Sequence, residues 1–301
     1  MDIQDLTTSR YGVAFAIALA RSLRPPVGYR VALRLADWMA SFRHSRLVRA
    51  IRLNQWVIHN KALDGDALNL AAREVLRHAA RCQYDLLRHV HDSTALLRLI
   101  RMDVEVERLI AASRRDEAGC VVVGSHLSNF DLAIKAVGVA GVKAQILAIA
   151  TPTSGYVWQN RLRSAPGVEI TPINLRALAA AVERLRRGGI VVTGVDRPVP
   201  GRKEHLTFFD EDAALPTGHV RIAMDAGVPV RVVSTRMEGN GVYRISVSDP
   251  IPMRVGGNRK SEIRENAQRV LAVVEAHIRE RPLQWLMFYP VWPHLMEQVP
   301  R

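Results

Sequence analysis

From residue 120 onward, short runs of β-branched and apolar residues alternate with stretches of helical periodicity. That alternation dictates a mainly parallel sheet flanked by helices, because parallel neighbours need a crossover between them. The apolar runs fall at 120–124, 144–150, 168–171 and 190–193, and helical patterns at 129–139, 156–163 and 175–187 lie between them. A long connection follows over 194–218, rich in Pro, Gly and charge, and a loop of that length in a compact unit is usually functional. Beyond it the pattern gives a helix over 219–226, a strand over 229–235, a turn at Gly239-Asn-Gly241, a strand over 242–246 and a helix over 261–279. The preceding chain reads as helical throughout, with one pattern running from Leu68 to about Leu99 and another from Val104 to Ala112. The expected organisation is therefore a helical region over residues 1–115, which associates with a membrane, and an α/β core over residues 116–301.

The first of these strands carries the chemistry. Val121-Val-Val-Gly-Ser-His126 runs from strand into turn, and from Leu127 the pattern becomes helical. Ser128 or Asn129 is a ready N-cap, and Asp131 falls in the first helical turn, where its carboxylate is expected to reach back to the His126 ring. A neutral histidine held by a carboxylate takes a proton from a hydroxyl and carries the positive charge while that hydroxyl attacks an acyl carbon, with no covalent enzyme intermediate. The spacing H-x4-D is cheap, however: His59 with Asp64 and His205 with Asp210 satisfy it too. His59 has no preceding strand, and His205 leads into a strand rather than a helix. Only His126 has the strand, turn and helix in sequence.

The 301 residues, 48% of them hydrophobic, can bury a full core. Cys82 and Cys120 fit neither a metal-ligand spacing nor a disulfide framework. The net charge of +13 is almost all arginine, since the lysines are only Lys61, Lys135, Lys143, Lys203 and Lys260. Such a surface seeks anions: nucleic acid, anionic lipid headgroups or a phosphate-bearing donor. Nucleic acid is set aside, because no aromatic-interleaved basic motif, zinc spacing or helix-turn-helix signature occurs. The opening ten residues lack the basic segment of a cleavable signal peptide. The early apolar run from Gly12 to Ala20 stops at Arg21, well short of the ~20 residues a spanning helix needs, and is a candidate for lying on a membrane. After Pro25-Pro26, residues Val31, Leu35, Trp38, Met39 and Phe42 make one apolar stripe, and residues 1–60 hold nine arginines against three aspartates. That is the composition of an interfacial anchor on an anionic bilayer, or of an ordinary helix packed on the core.

Three further segments bear on chemistry. Arg161 and Arg163 end a helix ahead of a strand: Arg163 is a candidate for a phosphate, though arginines also complement helix C-termini. In Val192-Thr-Gly-Val-Asp-Arg197 a strand delivers Asp196 and Arg197 at its carboxyl end, where open α/β sheets bind ligands, or where the two simply pair with each other. In Phe208-Phe-Asp-Glu-Asp212, Glu211 is a candidate for binding an acceptor hydroxyl or supporting His126, while Asp210 and Asp212 look solvated.

The order Gly124-Ser-His-Leu-Ser-Asn-Phe-Asp131, Arg163 and Gly167, Gly194-Val-Asp-Arg197, Phe208-Phe-Asp-Glu-Asp-Ala-Ala-Leu-Pro-Thr-Gly218 and Ala226-Gly-Val-Pro-Val230 resembles the lipid A lauroyl/myristoyl acyltransferase family, including its phosphatidylinositol mannoside acyltransferase branch. The similarity runs from roughly residue 45 to Gln284-Trp-Leu-Met-Phe-Tyr289. It implies a glycerolipid-acyltransferase-like α/β fold and a peripheral place at the cytoplasmic face of the cell membrane. It further implies transfer of a fatty acyl group from an acyl-CoA or acyl carrier protein thioester to a glycolipid hydroxyl. The donor is a co-substrate, and neither metal nor organic cofactor is implied. The family's histidine and acid fall on His126 and Asp131, with Ser128, Asn129, Arg163, Asp196 and Arg197 as the expected substrate contacts and Glu211 as a further catalytic candidate. Asp131, where lipid A enzymes often carry glutamate, leans toward the mannoside branch. Thr151, where they carry an arginine in a Tyr-Arg-Pro segment, speaks against a lipid A-like phosphorylated acceptor. The other readings are a lysophospholipid or glycerol-3-phosphate acyltransferase, which shares the base and its spacing, and an inactive lipid-binding relative, against which the intact His126 and Asp131 argue.

Overall fold

The computed structural model describes residues 17–149, 154–199 and 205–301. Its centre is a seven-stranded sheet of β1 (Ile100–Met102), β2 (Cys120–Gly124), β3 (Ala144–Ala148), β4 (Val168–Pro172), β5 (Ile190–Gly194), β8 (Val230–Met237) and β9 (Tyr243–Val247), in the order β1-β9-β8-β2-β5-β3-β4. Every neighbour pair is parallel except β8 with β9, which the Gly239-Asn-Gly241 turn joins as a hairpin. A separate hairpin, β6 (Leu206–Phe208) with β7 (Glu211–Ala213), lies inside the long connection, turning through Phe209 and Asp210, both at positive φ. Asp210 and Asp212 are exposed, as expected.

Strand β2 is central, paired with β5 on one side and β8 on the other, and its residues serve two cores by the alternation of a strand. Val121 and Val123 face one cluster with helices α8 (Leu175–Arg186), α9 (Gly218–Ala226) and α10 (Arg259–Glu280). Cys120 and Val122 face another with α5 (Val104–Arg114) and α6 (Phe130–Val139). The first cluster also takes Leu53, Trp56 and Val57 from α2 (Arg46–Ile58) and a ring of buried aromatics, Phe208, Phe209, Trp285 and Trp292. Each such aromatic pair adds roughly 0.5–1.5 kcal/mol beyond the area it buries. Polar groups of α2 then hold the C-terminal segment: Asn54 donates to the carbonyls of Met287 and Tyr289, and Gln55 to that of Pro282, each at 2.9 Å.

Two features depart from the expected pattern. The long helical stretch from Leu68 is two helices, α3 (Gly65–His89) and α4 (Ser93–Arg98), because Asp92 accepts from the Ala95 amide and starts a new helix. The helical expectation for the first 115 residues also misses β1, a three-residue strand on the sheet edge beside β9. Helix α7 (Ser154–Arg163) follows β3; Ala150 and the Thr151-Pro152 dipeptide lie outside the described residues, as does the start of the run from Gly12.

Helix α1 (Pro25–Ser41) begins with a proline where no amide partner is needed. It lies on α3 through small residues: Gly28 and Ala36 are buried, and a β-carbon at 28 would stand 2.3 Å from the Tyr84 ring. Of the expected apolar stripe, Met39 packs against the helical core, but Val31, Leu35, Trp38 and Phe42 are exposed, together with Val27. Trp38, at 60% exposure, shows that this face is not spent on the interior. No helix among the described residues is long and apolar enough to cross a membrane.

Candidate active site

Strands β2 and β5 are parallel neighbours in register, Gly124 opposite Gly194. Two residues beyond each glycine, at the carboxyl edge of the sheet, stand His126 and Asp196. A β-carbon at 194 would stand in ordinary contact with the imidazole, 3.9 Å from Cε1, so this glycine lies directly beside the ring. His126 donates from Nδ1 to Asp196 Oδ1 at 2.7 Å, and its backbone amide donates to Oδ2 at 2.8 Å. A third donor, the indole Nε1–H of Trp285, reaches Oδ2 at 2.8 Å.

Asp196 is fully buried. Burial alone would raise its pKa, but the His126 charge, the ring and indole hydrogen bonds and the His126 amide outweigh it and hold the carboxyl below its usual range. An ionised carboxylate only accepts, so the proton sits on Nδ1 and the lone pair on Nε2. The His126 side chain is 29% exposed against none for Asp196, so the pair has one wet end, and that end is the basic nitrogen.

The segment 284–286 runs antiparallel beside the histidine turn. Ser128 N donates to Gln284 O and Leu286 N to His126 O, each at 2.7 Å, and Leu127 bridges Trp285. The turn is thus fixed by backbone bonds on one side and by Asp196 on the other.

The expectation that Asp131 reaches back to His126 is corrected by this geometry. Asp131 stands in the first turn of α6 and faces away from the imidazole, into a buried ion pair with Arg163 Nε. Arg163 in turn stacks over Phe130, its Cζ 5.3 Å from the ring, and Phe130 meets the His126 ring edge-on at 5.0 Å. Among the described residues, Asp131 is linked to the histidine through Arg163 and Phe130, a wall behind the ring. Arg163, expected to face a phosphate, is 7% exposed and committed to Asp131 and to Asn160 Oδ1 at 3.3 Å.

Ser128 and Asn129, expected to touch substrate, are both buried and hold the turn instead. Asn129 is the N-cap of α6, accepting from Leu132 N at 3.2 Å and donating to Cys82 O at 2.9 Å. Ser128 adopts φ 51°, a left-handed conformation that costs a non-glycine residue of order 1–3 kcal/mol and is sustained by its surroundings. Its hydroxyl lies 2.9 Å from His78 Nε2 on α3, which lies 3.4 Å from Cys82 Sγ. Burial, with the Arg81 charge beside it, lowers the His78 pKa to about 4, so this imidazole stays neutral.

Glu211, on β7, pairs with Lys61 rather than with His126, which corrects the catalytic expectation for it. Asp196 and Arg197 do not pair with each other: Asp196 turns to His126, and Arg197 stacks 4.0 Å over the Tyr289 ring at the site's rim. Neither of the other H-x4-D histidines meets its aspartate. His59 Nδ1 lies 2.8 Å from Gln55 O while Asp64 caps α3, and His205 is exposed with Asp210 in the hairpin turn. Trp285 was not among the expected site residues; an indole N–H in the otherwise apolar Trp285-Leu-Met-Phe run was the available signal.

The family model for the bacterial lipid A biosynthesis acyltransferase matches residues 98–294, from just before β1 into the C-terminal tail, and so spans His126, Asp131, Arg163, Asp196 and Trp285. No curated protein matches the chain.

Proposed function

The chain belongs to the bacterial lipid A biosynthesis acyltransferase family, and from that premise we propose that it moves a fatty acyl group from an acyl-CoA or acyl carrier protein thioester to a hydroxyl of a glycolipid, mannoside-type or lipid A-like. The observation that carries the mechanism is the His126–Asp196 pair, buried at its acidic end and open at Nε2. In the proposed reaction Nε2 takes the proton of the acceptor hydroxyl as its oxygen attacks the thioester carbonyl. Asp196 stabilises the imidazolium and keeps the ring in place. The tetrahedral intermediate collapses with cleavage of the carbon–sulfur bond, and the leaving thiolate takes the proton back from Nε2. Asp131 and Arg163 position Phe130 and the ring; neither exchanges a proton with substrate.

The exposed Val27, Val31, Leu35, Trp38 and Phe42 face of α1, amid Arg24, Arg30, Arg34 and Arg43, supports a peripheral position on an anionic bilayer, which we place at the cytoplasmic face of the membrane. The test of the reaction is transfer, and residual hydrolysis, of palmitoyl-CoA by the purified protein. His126→Ala is expected to lose ~10² to 10⁴ in kcat, the usual worth of a general base, while His59→Ala and His205→Ala keep theirs. Equal loss in either control variant that remains folded would refute the assignment of the base.

A further inference from the structure

With Arg163 committed to Asp131, a phosphate-bearing substrate needs another cation, and the structure offers one beside the histidine turn. An open pocket of about 390 Å³ is lined by Arg81, Met237, Glu238, Gly239, Arg281 and Gln284. It lies at the carboxyl end of β8, the strand next to β2, so it shares the sheet edge on which His126 stands. Gln284 ties the two together. Its side chain exchanges hydrogen bonds with the Met237 backbone at 2.8 and 3.0 Å, its carbonyl accepts from Ser128, and the next residue is Trp285, which holds Asp196.

The charge of this pocket is unbalanced. Among the described residues neither Arg81 nor Arg281 forms an ion pair, and the acids around them are already engaged. Glu238 lies 3.8 Å from Arg244 and 4.0 Å from Arg101, and Glu280 pairs with Arg236 at 3.3 Å. Asp85, one turn along α3 from Arg81, accepts from Tyr29 at 2.5 Å and Tyr243 at 2.6 Å, and burial raises its pKa. Arg81 is half-buried and held in place, its Nη1 3.8 Å from Met237 Sδ and its Cζ 5.7 Å over the Tyr29 ring of α1. Two guanidinium groups that form no ion pair among the described residues, one of them preorganised, against a single wall carboxylate, make a receptor for a phosphate, to which such forks bond in pairs.

We propose that Arg81 and Arg281 form an anion subsite that holds a phosphate of a substrate during acyl transfer. The proposal rests on the acyltransferase reading of His126. Both a thioester donor built on phosphopantetheine and a phospholipid acceptor carry a phosphate group, and the contact of Arg81 with α1, the helix with the exposed apolar face, favours the lipid.

The test uses the full-length protein and two soluble probes, coenzyme A and glycerophosphoinositol, titrated by calorimetry into the wild type and into the variant carrying Arg81→Gln and Arg281→Gln. Loss of the charged hydrogen bonds of one guanidinium corresponds to roughly tenfold to a hundredfold in Kd, so the variant lacking both is expected to weaken binding by at least that factor. Weakening of that size for glycerophosphoinositol alone identifies the acceptor's phosphate, for coenzyme A alone the donor's, and for both a shared site. Glu238→Gln should tighten the same probe, since it removes the one negative charge of the pocket wall. Unchanged affinity for both probes in a variant with wild-type thermal unfolding overturns the proposal. Hydrolysis of palmitoyl-CoA by wild type and His126→Ala, run alongside, reports separately on the catalytic reading: it survives if hydrolysis depends on His126, whatever the arginines do.

Discussion

At the scale of single residues, the two carboxylates near His126 have different work, and the difference is measurable. Asp196→Asn places an amide opposite Nδ1, and an amide N–H there would force the ring proton onto Nε2, the nitrogen that must accept. A loss of about 10⁴ in kcat is expected, the magnitude seen when a buried orienting aspartate is neutralised, with a native circular dichroism spectrum. Trp285→Phe keeps the bulk and removes only the Nε1–H to Asp196, so kcat should fall with little change in KM, and by less than for Asp196→Asn. Asp131→Asn acts elsewhere. It removes the carboxylate from a guanidinium that is 7% exposed, and the loss of stability expected when a buried pair is broken from one side would register in urea unfolding. Because Asp196 is held below the ordinary carboxylate range, its protonation should add no limb to the kcat/KM profile within that range; a limb found there would place another proton in the mechanism.

Helix α3 is the element on which the histidine turn leans. It presents His78 to Ser128, Cys82 to Asn129 and Asp85 to Tyr29 and Tyr243. The consequence is a dependence of stability on pH. The folded pKa of His78, about 4, lies below the unfolded value of about 6.5, so the unfolded chain binds the proton that the folded chain refuses. Stability is therefore full above the unfolded value and is lost as pH falls from there through the folded pKa, by roughly 3 kcal/mol in total. Chemical unfolding at neutral pH and at about pH 4.5 should show this loss in the wild type and much less of it in His78→Gln. The comparison between the two proteins isolates His78 from Asp85, whose raised carboxyl pKa acts in the opposite sense. No difference in pH slope would mean that His78 takes up its proton without unfolding.

For the molecule as a whole, the relation between α1 and the bilayer decides where the reaction runs. Leu35 and Trp38 are 53% and 60% exposed, so Leu35→Glu with Trp38→Glu should leave the melting temperature near that of the wild type. It should abolish sedimentation with vesicles of anionic phospholipid, and activity on acceptor presented in those vesicles should fall while hydrolysis of soluble acyl-CoA persists. Undiminished vesicle binding would move the membrane contact to another surface. The net charge of +13 adds a second expectation: binding weakens as salt is raised, because the electrostatic part is screened while the apolar part remains.

Much of this architecture was legible in the chain itself. The alternation of apolar runs and helical stretches announced a mainly parallel sheet, since strand and helix periods are local properties of side-chain spacing, and β2, β5 and α6 lie within a residue or two of where the pattern put them. The choice of His126 from three histidines with the same spacing was also local, resting on a strand, a turn and a cap; its context in the structure is that one, and its catalytic role awaits the test above. The partner of His126 was beyond reach. Asp131, five residues on, was the near carboxylate, yet in the fold it is taken up by Arg163, which the end of α7 brings to it. Asp196 is 70 residues distant, and only the register of β2 on β5 brings it to Nδ1. Trp285 comes from further still, by the return of the C-terminal segment along the histidine turn. Hydrophobic period determines which elements form, but which strand lies beside which, and hence which buried charge meets which base, is decided only when the elements pack.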